Sequence, residues 1–278
     1  MAKFETVKKG RGRGDIMLEA KKQGRIRLIG FSFHDTLPVF KEIVDYYDWD
    51  VVQIQYNYMD TGFQAGAEGL KYAAAKGAAV VVMEPLKGGR LANPPAEALA
   101  VMESAAIKRS PVDWALQFLW NQPEIAVVLS GMSSVAMVDQ NCASASRSGI
   151  GTFSGGDEEI VARMAEICRR RVQVPCTACG YCQPCPSGVN IPENFAILNN
   201  AVLEDRPLRR WLERRKYSKL ARDRRTLDRE KPNGSAALCV ACGRCVEKCP
   251  QGIDIPKELR RVHAVLSGRG ETGKTSVV

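Results

Sequence analysis

The chain has no apolar run of ~18 residues or more, the length a membrane-spanning helix needs. Its opening stretch, MAKFETVKKGRGRG, is basic but lacks the apolar segment of a secretory signal. Together these absences exclude a membrane span, and they set the cytoplasm as the expected location. Strands become scarce as well: past residue 175 no convincing strand pattern appears, and residues 190–230 and 255–267 read as helices.

Cysteine, by contrast, is abundant. Ten cysteines in a short exported protein would suggest disulfides, but without an export signal their tight spacing points to metal. Eight fall in two runs, CTACGYCQPCP (176–186) and CVACGRCVEKCP (239–250). Cys142 and Cys168 stand apart on helical patterns and read as buried structural thiols.

The second run has the spacing C-x2-C-x2-C-x3-C-P, which places three thiolates on one tight loop around a cubic iron-sulfur cluster, while the fourth usually ligates the other cluster of a two-cluster protein. A structural zinc site takes its ligands as two separated pairs, which successive x2 spacings do not suit. The first run differs only in having one residue fewer before its last cysteine. Both runs are followed by the same signature, PSGVNIP (186–192) and PQGIDIP (250–256), an internal repeat consistent with pseudo-twofold symmetry. The sequence thus nominates Cys176, Cys179, Cys182, Cys185, Cys239, Cys242, Cys245 and Cys249 as ligands of two [4Fe-4S] clusters.

The first half of the chain is patterned differently. Short apolar runs, RIRLIGFS (25–32), VVQIQYN (51–57), AAVVVME (78–84) and IAVVLS (125–130), each lead through a polar residue to a helical pattern. Asp35 and Thr36 are capping candidates for the first of these helices, Gly77 a terminator of the second, and Ser110-Pro111 the start of another. The third run is apolar and β-branched enough to predict a strand buried on both faces. Four successive βα units predict parallel strands with right-handed crossovers. The expected domains are an α/β region over 1–150, a linker and connecting helix over 151–175, and a helical metal-binding region over 176–278.

In parallel α/β folds the functional face lies at the carboxyl ends of the strands, which singles out Ser32, Gln53, Gln55, Asn57, Glu84 and Ser130. Pro85–Gly89 and Gly131–Ser134 have the composition of loops that cradle phosphate at helix N-termini.

The net charge of +9 is concentrated in residues 206–231, where 12 Lys/Arg face 4 Asp/Glu. Three readings stand: a solvated helical face, counter-charge or docking beside anionic clusters and acidic electron-transfer partners, and a nucleic-acid surface. No recognised nucleic-acid module accompanies the charge, which disfavours the last.

The motifs GRIRLIGFSFHD, VVQIQYNYMD, VVVMEPLKGGRL and VVLSGMSS with DQN beyond it, in that order, resemble the second half of aldo/keto reductases, specifically bacterial members with a ferredoxin-type tail. The resemblance runs from residue 4 to about residue 265. It implies strands five to eight of a (β/α)8 TIM barrel, followed by a small all-α dicluster ferredoxin-like domain, and an NADP(H) cofactor. Ser32 and Gln53 would meet the nicotinamide amide, and Leu86 and Gly88 would lie along the pyrophosphate. Gly131, Ser133 and Ser134 would lie near the adenosine phosphate, and Gln140 and Asn141 near the adenine. Phe33 departs from the asparagine many relatives carry. The family's catalytic Asp, Tyr, Lys and His come from strands two to four, to which no residue here corresponds; His34 reads as a loop or cofactor-side residue.

The helical insertion between the cysteine runs resembles the α-helical ferredoxin modules of succinate dehydrogenase and heterodisulfide reductase subunits. This implies that Cys176, Cys179, Cys182 and Cys249 share one cluster and Cys239, Cys242, Cys245 and Cys185 the other. Four barrel strands without their partners would leave about eight large inward side chains unburied, at ~1.5–3 kcal/mol each. The expectation is a fragment, a split enzyme whose other half supplies strands one to four, or self-association of two half-barrels. An electron-transfer module without its own catalysis is the alternative function, with an electron-transfer partner.

Overall fold

The computed structural model describes residues 13–203, 207–222 and 234–268. They fall into two compact units, one within Met1–Asn93 and Ala100–Ala165, the other within Pro94–Leu99 and Glu166–Val278.

The first unit is built on a parallel four-stranded sheet in the order β1 (Gly30–Ser32), β2 (Val51–Gln55), β3 (Ala79–Met83), β4 (Ile125–Val128). The helices are α1 (Arg13–Lys22), α2 (Leu37–Tyr46), α3 (Gly66–Ala75), α4 (Ala96–Glu103), α5 (Pro111–Trp120), α6 (Val135–Ala145) and α7 (Gly155–Arg171); α4 and α7 begin in one unit and end in the other. Sequential strands pair in sequential order, as expected when each crossover helix returns the chain by one strand.

Period-two alternation explains the core. Val52, Ile54, Val80 and Val82 are almost fully buried and pack with Phe40 and Val44 of α2, Leu70 and Ala73 of α3 and Leu119 of α5. Phe33 meets Phe40 edge-on with ring centroids 4.9 Å apart. Gly30 is required where β1 meets β2, because a Cβ there would lie 2.2 Å from the Val51 carbonyl oxygen.

Several expectations need correction. The first strand covers only the end of 25–32: β1 is an edge strand of three residues, and Ile26 and Leu28 before it are exposed. β3 is not buried on both faces, since Ala79 is exposed and Val81 and Met83 are half-buried. The face opposite the core mixes Gly30, Ser32 and Gln53 with Val51, Val81, Met83 and Val127, so it holds fewer large apolar groups than the eight expected. Cys142 is exposed rather than buried, because α6 buries only Ser144; Cys168 is buried as expected.

Ser110 caps α5 as the sequence indicates, accepting a hydrogen bond from Asp113 N at 3.1 Å, with Pro111 starting the helix. Thr36 occupies the capping position of α2 without a side-chain bond, and Asp35 Oδ1 instead accepts from Thr36 N at 2.7 Å. Arg109 lies against the rings of both Trp114 and Phe153 (4.5 and 5.1 Å) and donates to Asp157 Oδ1 at 2.8 Å. Burial pushes the Asp157 carboxyl up, but Arg109 and Ser154 outweigh it and hold the carboxyl below its usual range.

The second unit is helical, with α8 (Ile191–Leu203), α9 (Pro207–Arg222) and α10 (Ile255–Leu266). The helical reading of 190–230 corresponds to α8 and α9, and residues 204–206 and 223–230 lie outside the described ones. The core of this unit gathers Val189, Ile191, Phe195, Leu198, Ile253, Ile255, Leu259 and Val262, with six of the clustered cysteines packed against it.

Candidate metal centres and strand-end site

The two cysteine loops have the same backbone course. Ala178 and Gly180 have φ of 59° and 79°, and Ala241 and Gly243 have φ of 55° and 76°. Left-handed residues at the same two places after the first cysteine curl each loop around a point, and glycine takes this conformation without strain. Beyond each loop the repeated signature also has a structural meaning. Gly188 N donates to the Cys185 carbonyl at 2.9 Å and Gly252 N to the Cys249 carbonyl at 3.2 Å, closing matching turns. Asn190 Oδ1 accepts from Glu193 N and Asp254 Oδ1 from Lys257 N, both at 3.2 Å, so each signature starts a helix with a side-chain cap and a proline in its first turn.

One small cavity, of about 20 Å³, is lined by Cys176, Cys179, Cys182 and Cys249 together with apolar Ile191, Phe195, Ile253 and Ile255. A second, larger cavity of about 380 Å³ is lined by Cys182, Cys185, Cys242 and Cys245, with Arg244 and Lys248 beside them. Cys182 lines both cavities and Cys239 neither, but electrostatics divide the thiols into two sets of four. Burial pushes the Cys182 thiol up to about 12, and Cys176, Cys179 and Cys249 add to the rise. Cys245 is raised first by burial and then by Cys185, Cys239 and Cys242. Cys185 and Cys249, the last cysteines of the two runs, thus each stand with the thiols of the other run. The thiols surround cavities; among the described residues no three His, Cys, Asp or Glu side chains converge on the volume of one metal ion. The donors and loops fit a multi-iron group: four soft thiol donors line each cavity, the first against an apolar wall, and a loop curls over each site.

Polar side chains that spacing does not reveal hold these loops. Asn194, fully buried, donates to the Asn190 and Gly234 carbonyls (2.7 and 3.0 Å) and accepts from Ala236 N (2.8 Å). Gln183 accepts from Cys185 N and donates to the Val189 carbonyl (3.0 and 3.1 Å). Asn199 accepts from the amides of Gln173 and Val174 just before the first cysteine, both at 3.0 Å. Of the basic segment 206–231, only residues 207–222 are described. There α9 buries Glu213 and Tyr217, the tyrosine hydroxyl meeting His263 Nδ1 at 2.7 Å, and exposes Trp211 under Arg215.

At the carboxyl ends of the strands of the first unit, Ser32 and Gln53 lie side by side, Gln53 Nε2 reaching Ser32 Oγ and Met83 Sδ, each at 3.4 Å. Gln55 and Asn57 do not face this opening. Both are buried and donate to Asp60 Oδ2 (2.9 and 3.1 Å), whose two oxygens also take Lys87 Nζ at 2.5 and 2.6 Å. Neither Asp60 nor Lys87 is signalled by the strand-end pattern. The loop that holds Leu86 and Gly88 is strained, with Glu84 and Lys87 at φ of 58° and 48°. Gly88 N, expected near a pyrophosphate, donates to Glu84 Oε2 at 2.5 Å, so an anion there would meet a carboxylate. Gly131, Ser133, Ser134 and Gln140 are exposed; Ser134 Oγ caps α6, and Asn141 Nδ2 donates to Ser130 Oγ at 3.0 Å. His34 is half-buried, and burial lowers its pKa while Gln64 partly opposes the shift.

Residues 14–148 match the aldo/keto reductase family, and residues 175–254 match a 4Fe-4S dicluster domain. The chain carries both domains. Among solved structures it is similar to the aldo-keto reductase AKR11C1 from Bacillus halodurans in its holo and apo forms, at 23% identity and a TM-score of 0.44 in each case. The similarity covers 52% of this chain, and 52% of the holo and 53% of the apo chain, so the chain spans about half the length of these structures. No curated protein matches it. The aldo/keto reductase domain contains all four described strands, and the dicluster domain contains all eight clustered cysteines. Among the described residues no helix is long and apolar enough to cross a membrane.

Proposed function

We propose that the chain belongs to an iron-sulfur oxidoreductase in which an aldo/keto reductase domain works beside two [4Fe-4S] clusters. The observation that carries this reading is the grouping of the cysteines, which gathers Cys176, Cys179 and Cys182 around one cavity with Cys249 from the other run. One set would hold the first cluster, and Cys185, Cys239, Cys242 and Cys245 the second. These thiolates would supply the negative ligands, the apolar wall of Phe195, Ile191, Ile253 and Ile255 would exclude water from the first set, and the clusters would supply one-electron chemistry.

The strand-end opening suits a nucleotide in part. Ser32 and Gln53 present amide- and hydroxyl-bonding groups side by side, and Gly131 and Ser133 lie exposed just before the N-terminus of α6, where an anion is favoured. Gly88 does not suit an anion while Glu84 holds its amide. An NADP(H) site would therefore rest on Ser32, Gln53, Gly131, Ser133, Ser134, Gln140 and Asn141, with Leu86 and Gly88 joining once Glu84 turns away. The intact enzyme would interconvert carbonyls and alcohols, β1–β4 standing as the second half of its barrel and the proton-donating half coming from elsewhere in the enzyme. The sheet face bearing Ser32, Gln53, Val81 and the 48% exposed Val127 favours such a completion.

A second reading, an electron-transfer module with no catalysis of its own, is favoured by the Gly88–Glu84 contact. The two readings separate with the reconstituted chain under anaerobic conditions. Bleaching of the visible cluster absorbance by NADPH, with a spin signal, is expected if nucleotide and clusters are coupled; reduction by dithionite alone would favour the module. The chain by itself is expected to show no NADPH-dependent carbonyl turnover, and measurable turnover would contradict the assignment of the proton donor to another part.

A further inference from the structure

Thr177 and Val240 occupy the same place in the two cysteine loops, each directly after the first cysteine, on backbones of the same shape. Their surroundings differ sharply. Val240 is 69% exposed, whereas Thr177 is 5% exposed and lines the small cavity with Cys176, Cys179, Cys182 and Cys249. Its Oγ1 is buried and has no hydrogen-bond partner. A buried hydroxyl without a partner is destabilising and calls for an explanation. The other lining residues are the four cysteines, apolar groups, Gly180, two prolines and Gln251. A sulfur-rich group held by the four thiols would give the hydroxyl an acceptor within the same cavity.

We propose that Thr177 is a tuning residue for the cluster held by Cys176, Cys179, Cys182 and Cys249, its hydroxyl donating a hydrogen bond to a sulfur of that cluster. This rests on the cluster reading given above. Reduction adds negative charge to the sulfurs, so a donated hydrogen bond stabilises the reduced form more than the oxidised one and raises the potential. The second loop has no counterpart: Val240 carries no donor and points to solvent. The two near-identical motifs are thereby made unequal at one position, and the cluster beside Thr177 has a higher potential than it would without the hydroxyl.

The test is a redox titration of the full, reconstituted chain followed by electron paramagnetic resonance, with iron and sulfide measured on the same samples. Thr177→Val should lower the potential of one cluster and leave the other in place, the shift corresponding to about a tenfold change in the reduction equilibrium, ~59 mV for one electron. Thr177→Ser, which restores the donor, should return it to the wild-type value, and Val240→Thr should change neither cluster. Unchanged potentials in fully loaded Thr177→Val would overturn the proposal. If that variant holds no cluster, electron-nuclear double resonance on the reduced wild type decides: an exchangeable proton coupled to the cluster that is retained in Thr177→Ser supports the bond, and its absence overturns it. A wild-type chain that takes up no iron and sulfide contradicts the cluster reading itself, a failure distinct from loaded protein with unmoved potentials.

Discussion

Cys182 and Cys249 line the same cavity, although one sits within the first cysteine run and the other closes the second. Their proximity makes the two runs interdependent. Neither loop completes a four-thiol set from its own segment, so each site needs the core of Phe195, Ile255 and Leu259 to be assembled first.

The pairing predicts how substitutions combine. Cys182→Ala and Cys249→Ala should each remove about half of the bound iron, and the double variant should lose no more, because both deplete one set. Cys182→Ala with Cys245→Ala should lose nearly all of it. Iron and acid-labile sulfide assays read the outcome; near-complete loss in Cys182→Ala/Cys249→Ala would contradict the pairing.

The Asp60–Lys87 pair predicts a stability effect far from any cysteine. Lys87→Met leaves the Asp60 carboxylate buried without its cation, facing the neutral donors Gln55 and Asn57, and breaking a buried pair from one side costs ~3–5 kcal/mol. Denaturant unfolding followed by tryptophan fluorescence should show that loss. Replacing both residues, Asp60→Leu with Lys87→Met, should restore much of it, since no lone charge is then buried. A Lys87→Met variant as stable as wild type would mean that the pair is open to water.

His34 predicts a pH effect of definite sign. Burial lowers its pKa in the folded chain below the ordinary 6.5, with Gln64 partly opposing, so the unfolded chain binds the proton at a higher pH than the folded one. Stability contributed by neutral His34 is then complete above the unfolded pKa and falls as the pH drops from there toward the folded value. His34→Gln should flatten that part of the pH profile of the denaturation midpoint, which begins near the ordinary histidine pKa of ~6.5 and extends to lower pH. A profile identical to wild type would show that His34 is not the titrating group.

The parts of the fold legible in the sequence are those set by local spacing. Cysteines at fixed intervals, the repeated signature after each run and the alternation of Val52 and Ile54 with their neighbours all act over a few residues. What escaped depends on partners distant in the chain. Asp60 and Lys87 meet only because β2 and β3 are adjacent, and nothing in YNYMD or PLKGG announces it. Cys142 has the helical spacing of a core residue but is exposed, because periodicity does not say what covers a helix. Arg25 to Leu28 have strand-forming composition but flank an edge strand with a partner on one side only. Thr177 and Val240 are equivalent by motif and opposite by burial.

The central claim, two [4Fe-4S] clusters on eight cysteines, is tested most directly by the metal and sulfide content of the anaerobically reconstituted chain, with Mössbauer spectra of the same sample. About eight iron and eight acid-labile sulfide per chain, as cubic clusters, are predicted from the dicluster match. Tightly bound zinc, or iron without sulfide, would contradict the account.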